Sequence, residues 1–313
     1  AQAQPELQSR PVPERGLAGP ALRRPLIIYV HGGGWQHGDK SDWTRMVGIR
    51  ELMARGFVVA TVDYRLAPQY RFPAQIEDVR EAIRYLCANA ARYGIDPQRV
   101  GLMGDSAGGH LVALLGLTQG NEAFGSPGAS APSGAARVPG SLGSSGPVGP
   151  AGSVRSAGSV RSAGAAGTPL QSVIPSARIR AVVDLFGPTD LTAALSPHEF
   201  QGWARAQIFS AFGVSPTQPD AARLLRAGSP LTYVRKDAPA FLIIHGERDG
   251  IVPLHQSVEF YDRLKAAGAR AVFVPVRNAG HELKPDGGSI RPSRAELGRM
   301  IVDFFVQELA EKS

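Results

Sequence analysis

The chain has one cysteine, Cys87, among 313 residues. A lone thiol forms no internal disulfide and builds no cysteine-based metal site, so stability has to come from packing. Cys87 lies in a helical pattern and reads as core. No apolar run reaches the roughly 18 residues a membrane-spanning helix needs, so no membrane span is expected. The seven histidines show no metal-ligand spacing, and no metal is expected. Aromatic residues make up only 7% of the chain, and its net charge of +7 comes from scattered arginines. Without a basic stripe or interleaved stacking aromatics, nucleic acid is not an expected partner. The glycine-rich loop at 31–34 fits neither G-x-x-x-x-G-K-[ST] nor G-x-G-x-x-G with a downstream acid, so no nucleotide cofactor is expected.

What is present is a 43% hydrophobic chain, long enough for a large core. Continuous apolar runs occur at "LIIYV" (26–30), "FVVATV" (57–62), "RVGLMG" (99–104), "IRAVVDLF" (179–186), "AFLIIHG" (240–246) and "AVFVPV" (271–276). Such runs suit parallel strands covered on both faces. Helical spacing appears between them, most clearly in Ile76, Val79, Ile83 and Leu86, and again in Leu297, Ile301, Phe304 and Phe305. This alternation predicts an α/β fold with an open, mostly parallel sheet over residues 25–313. Residues 1–24 read as a flexible arm, rich in Pro, Gln and Ala. A low-complexity insertion of Gly, Ser, Ala and Pro over 121–175 carries the repeat "GSVRSAGSVRSAG" and interrupts the domain. The insertion joins a helix to the following strand, so its ends are expected at the N-terminal edge of the sheet, away from a ligand crevice at the C-terminal edge. The start "AQAQPELQ" suits both the end left by leader removal and an arbitrary boundary, and a secreted or periplasmic location is expected ahead of a cytoplasmic one.

Three loops carry candidate chemistry. In "GDSAGGHLVALLGL", Ser106 sits between Gly104 and Gly108, after a strand and before an apolar helix, where a sharp turn would hold its hydroxyl outward. "HGGGW" (31–35) presents consecutive backbone N–H groups; they could form a bare turn or stabilise an oxyanion. "HGERDGIVP" and "AGHEL" place Asp249 and His281 just past two later strands. Each residue alone has an ordinary reading, Asp249 as a turn aspartate and His281 as a loop histidine. Together they follow the order Ser, Asp, His at the carboxyl ends of three strands, which is the order of an α/β-hydrolase triad.

With "DYRLAP" (63–68), "FPAQIEDV" (72–79), "FGPTDL" (186–191) and "PAFLIIHGERDGIVP" (239–253), the chain from about Pro25 onward resembles an α/β-hydrolase esterase. It is similar to the hormone-sensitive-lipase-like and bacterial feruloyl- and acetyl-xylan-esterase-like groups, with Trp35 and "GPTDL" nearer the second. It departs from them in showing no clear pattern for further strands ahead of "LIIYV", and in the insertion. The resemblance implies a catalytic Ser106, Asp249 and His281, and an oxyanion hole from the N–H groups of Gly33, Gly34 and Ala107. It leaves Asp105 as a turn residue and prefers Asp249 to Glu247 as the acid. Asp63, Arg65 and Asp78 are expected as buried polar pairs, His31 as a brace for the glycine loop, and His110 and His245 as packing residues.

The segment 190–230 leaves one strand and returns late to the next, so it is the natural place for a small helical cap. Its Trp203 and Phe209, with Trp35, are the expected substrate-binding side chains. The expected function is a cofactor-free serine carboxylesterase acting on small to medium acyl esters, including carbohydrate-linked acetyl or aromatic esters. An arylformamidase- or amidase-type hydrolase on the same triad, and a non-catalytic binding protein of this fold, are the alternatives. Nothing in the sequence fixes the oligomeric state.

Overall fold

The computed structural model describes residues 23–120 and 177–310. All but the last two residues of the 1–24 arm, and the whole 121–175 insertion, lie outside them. The strands are β1 (Arg24–Val30), β2 (Val58–Val62), β3 (Ile95–Asp105), β4 (Ile179–Leu185), β5 (Ala240–Gly246) and β6 (Ala271–Val276). They form a six-stranded sheet in the order β2-β1-β3-β4-β5-β6, with every pairing parallel. Strand β3 begins earlier than its apolar run because Ile95, fully buried, pairs with Arg24 before a register shift near Val100.

The helices are α1 (Ile49–Ala54), α2 (Ala74–Ala88), α3 (Ala90–Tyr93), α4 (Ala107–Thr118), α5 (Gly202–Phe212), α6 (Ala221–Ala227), α7 (His255–Ala266) and α8 (Arg294–Leu309). Alternation along each strand divides the core in two, because successive side chains point to opposite faces. In β1, Leu26, Ile28 and Val30 join the layer containing α2, α4 and α7. Ile27 and Tyr29 join the opposite layer, built on α1 and α8. Cys87 is buried in the first layer, and burial pushes its thiol up to about 11.

Helix α4 is buried along its whole length, which explains why its sequence is apolar all round rather than amphipathic. Each of its fully buried leucines contributes roughly 1.5–3 kcal/mol of transfer free energy. Its far end marks the N-terminal edge of the sheet. There the Gln119 carboxamide accepts from the Ile179 N–H at 3.1 Å and donates to the Ile179 carbonyl at 3.0 Å.

The strand order fixes where a site can form. From β1 the chain turns outward to β2, then returns to β3 on the other side and continues to β4. The loops after β1 and β3 therefore diverge and open a crevice at the carboxyl ends of the strands. The 31–35 loop and Ser106 lie on either side of that switch point.

Candidate active site

Ser106 occupies the turn between β3 and α4 with φ 50° and ψ −119°. A non-glycine residue there is strained and persists only when its surroundings fix it. Its N–H donates to the Leu185 carbonyl at 2.8 Å, and its own carbonyl accepts from the His110 N–H at 3.0 Å. Close packing leaves no alternative at the following turn: a Cβ on Gly108 would stand 2.1 Å from the Val30 carbonyl oxygen. The glycines flanking Ser106 let α4 start hard against the end of β1.

The three residues read as a triad from their order come together in space. His281 Nε2 is 3.0 Å from Ser106 Oγ, and His281 Nδ1 is 2.7 Å from Asp249 Oδ2. The Asp249 side chain is fully buried and that of His281 is 13% exposed. Asp249 Oδ1 accepts from the Ile251 and Val252 N–H groups at 2.8 and 3.0 Å. Burial alone would raise the Asp249 pKa, but hydrogen bonds from His245 and His281 outweigh it and hold the carboxyl below the usual carboxylate range. An ionised Asp249 accepts from Nδ1–H, which leaves Nε2 as the acceptor facing the Ser106 hydroxyl. Phe186 braces the imidazole from one side, its ring centroid 4.9 Å from that of His281. Glu247, the competing acid, is exposed.

The glycine loop is held from below. The Gln36 and His37 N–H groups both donate to the Gly33 carbonyl, at 3.1 and 3.0 Å. The Tyr64 hydroxyl lies 3.0 and 3.2 Å from the His31 and Gly32 carbonyls. His31 stacks on Tyr64, with 4.2 Å between ring centroids. The Gly32 N–H donates to Asp105 Oδ1 at 3.1 Å. Among the described residues, the N–H groups of Gly33, Gly34 and Ala107 have no hydrogen-bond partner. Asp105 is buried, and burial raises its pKa even though the Tyr29 hydroxyl and the Gly32 N–H favour its charged form.

Between β4 and β5 lie α5, α6 and two short 3₁₀ turns at Leu191–Leu195 and Pro230–Tyr233. Helix α5 and its N-cap residue Gln201 approach the 31–35 loop and the turn that carries Asp249. A Cβ on Gly34 would stand 2.3 Å from Gln207 Oε1, and one on Gly250 would stand 3.2 Å from Gln201 Nε2. Trp203 lies on the Gln207 face of α5, since residues four apart share a helical face. It is 50% exposed, with Nε1 donating to Gln201 Oε1 at 2.9 Å. Phe209 is half-buried against the core beneath the Arg205 guanidinium, which lies 5.2 Å from its ring. Trp35 is only 4% exposed and faces inward: its indole donates to His110 Nδ1 at 3.3 Å and meets Phe212 edge-on.

Two expectations need correcting. Trp35 does not offer its indole to the crevice, because the loop folds it inward onto His110. Asp63, Arg65 and Asp78 are not buried pairs. Arg65 binds Asp78 and Glu77 while 42% exposed, and Asp63 pairs with Lys40 at the surface. Sequence reasoning also missed several neighbours of the triad. His245, expected as a packing residue, lies 3.3 Å from Asp249 Oδ2. Its place four residues before Asp249, at the end of an apolar strand, was the available signal. Phe186 opens the "FGPTDL" motif, but spacing gives no sign of its contact with His281, and none of the approach of Gln207 to Gly34.

The BD-FAE family profile matches residues 19–147 and 162–264. Esterase LipC of Mycobacterium tuberculosis is 30% identical over 263 residues, covering 84% of this chain and 54% of LipC. Esterase LipQ of the same organism is 29% identical, covering 84% of this chain and 51% of LipQ. The chain thus spans about half the length of the curated relatives it matches. Among solved structures, a truncated carbohydrate esterase from gut microbiota aligns with a TM-score of 0.65 at 27% identity, over 93% of this chain and 87% of that one. A bifunctional GH43-CE protein of Bacteroides eggerthii aligns with a TM-score of 0.65 at 28% identity, over 92% of this chain and 34% of its own. The fold is that of the α/β-hydrolase esterases.

Proposed function

Since this chain belongs to the BD-FAE family, we propose that it is a serine carboxylesterase whose nucleophile is Ser106, acting on small to medium acyl esters of carbohydrate-like alcohols. The observation that carries this proposal is the unbroken hydrogen-bonded line from Ser106 through His281 to Asp249, at 3.0 and 2.7 Å, beside backbone N–H groups free to bind an oxyanion. The alcohol class is taken from the carbohydrate-esterase neighbours.

In this mechanism His281 Nε2 removes the Ser106 proton as Oγ bonds to the acyl carbon, while Asp249 stabilises the imidazolium that results. The carbonyl electron pair moves onto oxygen, where the N–H groups of Gly33, Gly34 and Ala107 stabilise it. As the tetrahedral intermediate collapses, the ester C–O bond breaks and His281 passes its proton to the departing alkoxide. Water then attacks the acyl-enzyme with His281 again as base, releasing the acid and returning the proton to Ser106. Residues 190–230 act as the cap, with Gln207 and Trp203 on the face of α5 turned to the glycine loop.

A fluorophosphonate probe together with p-nitrophenyl acetate turnover tests this proposal. The protein is expected to label once, at Ser106, and to hydrolyse the ester, and Ser106→Ala to lose both. Turnover that survives in Ser106→Ala, or a folded protein inert to probe and to an acetate, acetyl-sugar and feruloyl panel, would overturn it.

A further inference from the structure

Asp249 touches a second imidazole. His245, at the end of β5, is fully buried. Its Nε2 lies 2.9 Å from the Val252 carbonyl oxygen and 3.3 Å from Asp249 Oδ2. Its Nδ1 lies 2.7 Å from Ser257 Oγ, near the start of α7. The acceptors around Nε2 assign its proton there, because a carbonyl and a carboxylate can only accept. Nδ1 is then a lone pair, and the Ser257 hydroxyl donates to it. The chain of contacts runs from Ser257 through His245, Asp249 and His281 to Ser106.

The Asp249 carboxylate is thereby engaged on both oxygens. Oδ1 is held by the Ile251 and Val252 N–H groups; Oδ2 takes the His281 N–H at 2.7 Å and lies 3.3 Å from His245 Nε2, whose proton it shares with the nearer Val252 carbonyl. The Asp249 and His245 side chains are both 0% exposed, so solvent does not substitute for a donor removed from Oδ2. That oxygen is also the one to which His281 Nδ1 donates. A turn of the carboxylate about its Oδ1 anchors would carry the imidazole away from Ser106.

We propose, resting on the Ser106 mechanism above, that His245, with its ring held at Nδ1 by Ser257, is a positioning residue for the triad. Its Nε2–H keeps Asp249 Oδ2 in line with His281. It has no contact with the space where substrate would bind, so its loss should act on turnover and spare binding.

The test compares His245→Leu, which lacks a donor, with His245→Gln, whose carboxamide N–H reaches toward the position of Nε2. His245→Leu is expected to lower kcat about 10- to 100-fold, the scale on which a misplacement of about 1 Å acts. Its KM should stay within about twofold, as for an interaction made only through the transition state. His245→Gln should recover most of the loss. The low-field proton resonance of His281 Nδ1–H should move downfield in the Leu variant, where Oδ2 has one donor fewer, and return toward the wild-type position in Gln. A purely structural role would lower activity and melting temperature together without this pattern. If His245→Leu does not fold, Ser257→Ala decides: it keeps the imidazole and its Nε2–H but removes the hydrogen bond that anchors Nδ1, and should lower kcat several-fold and shift the same resonance. Wild-type kcat in the Leu variant, a Gln variant no better than Leu, or an unmoved resonance in the variants that fold would overturn the proposal while wild-type turnover and Ser106 labelling remain intact. Loss of those two in the wild type would instead remove the esterase mechanism itself.

Discussion

The Tyr29 hydroxyl donates to Asp105 Oδ1 at 2.6 Å, and the same oxygen accepts from the Gly32 N–H at 3.1 Å. One buried carboxyl thus ties the strand that feeds the glycine loop to the turn that carries Ser106. Tyr29→Phe keeps the ring volume and removes one of two donors. Leaving a buried acceptor short of a partner costs about 1–3 kcal/mol. Urea unfolding should show a lower midpoint with an unchanged slope. Phosphonate labelling of Ser106 should also slow, by about tenfold if about 1.4 kcal/mol of alignment is lost. Unaltered labelling would mean that the loop holds its position without Tyr29.

Gly34 and Gln207 make a second pair. Gly34 has φ +59°, and a Cβ there would stand 2.3 Å from Gln207 Oε1. Gly34→Ala therefore brings two faults, left-handed backbone strain and a clash with the end of a flexible side chain. Loss of one oxyanion donor typically costs about 10²–10³ in kcat, and a displaced 34 N–H should approach the lower figure. In the double variant Gly34→Ala/Gln207→Ala the clash is gone and the strain remains. Activity recovered by the second substitution measures how far the carboxamide displaced the loop. No recovery would assign the loss to the backbone alone.

Two buried groups shape stability in opposite senses. Asp184 sits on β4 with Oδ1 accepting from the Gly187 N–H at 2.9 Å, while Oδ2 has no partner among the described residues. Burial pushes its pKa up to about 7. Its folded pKa is raised, so its contribution is complete below the free-carboxyl value of about 4 and is lost as pH rises through about 7. His110 is the reverse: burial pushes it down to about 4, although its bond to the Gly228 carbonyl opposes the shift. Its contribution is present above the free-imidazole value of about 6.5 and is lost as pH falls through about 4. The two slopes partly cancel in the wild type. Asp184→Asn removes one of them, so its melting temperature should climb more steeply than the wild type's between about pH 5 and pH 7, and the gap between the proteins should widen toward about pH 8. Parallel curves would show that Asp184 ionises without cost.

The strands were readable in the sequence because a sheet covered on both faces demands uninterrupted apolar runs, and those runs recur at nearly the observed bounds. The carboxyl-end loops were readable for a related reason, since glycine is required where α4 meets β1 and where the 31–35 loop turns. Partners that depend on tertiary approach were not readable. Asp63, Arg65 and Asp78 sit among apolar residues, which suggests buried polar pairs, but Asp63 meets Lys40 at the surface, and spacing gives no sign of a partner 23 residues back. His245 was hidden by its own strand: the last residues of a buried run look like core, and its approach to Asp249 depends on the turn at 246–249. Trp35 misled in the other direction. An aromatic beside a glycine loop suggests a substrate wall, whereas the loop folds its indole inward onto His110.

Trp203 and Phe209 share α5 but should respond differently to truncation. Phe209 packs against the core with Arg205 over its ring, so Phe209→Ala should destabilise the protein by about 3–5 kcal/mol or somewhat less, as for a large-to-small change at a half-buried site. Trp203 is 50% exposed, and its removal should change stability by no more than about 0.5 kcal/mol. An exposed indole held by Gln201 on the face nearest Gly34 is well placed to meet the longer part of an ester. Trp203→Ala should therefore leave acetate turnover unchanged and raise KM for longer acyl chains or for sugar esters. The two substrate series, varied separately at the acyl and the alcohol end, would show which group reaches the indole. An unchanged profile in both would place substrate on another face of the cap.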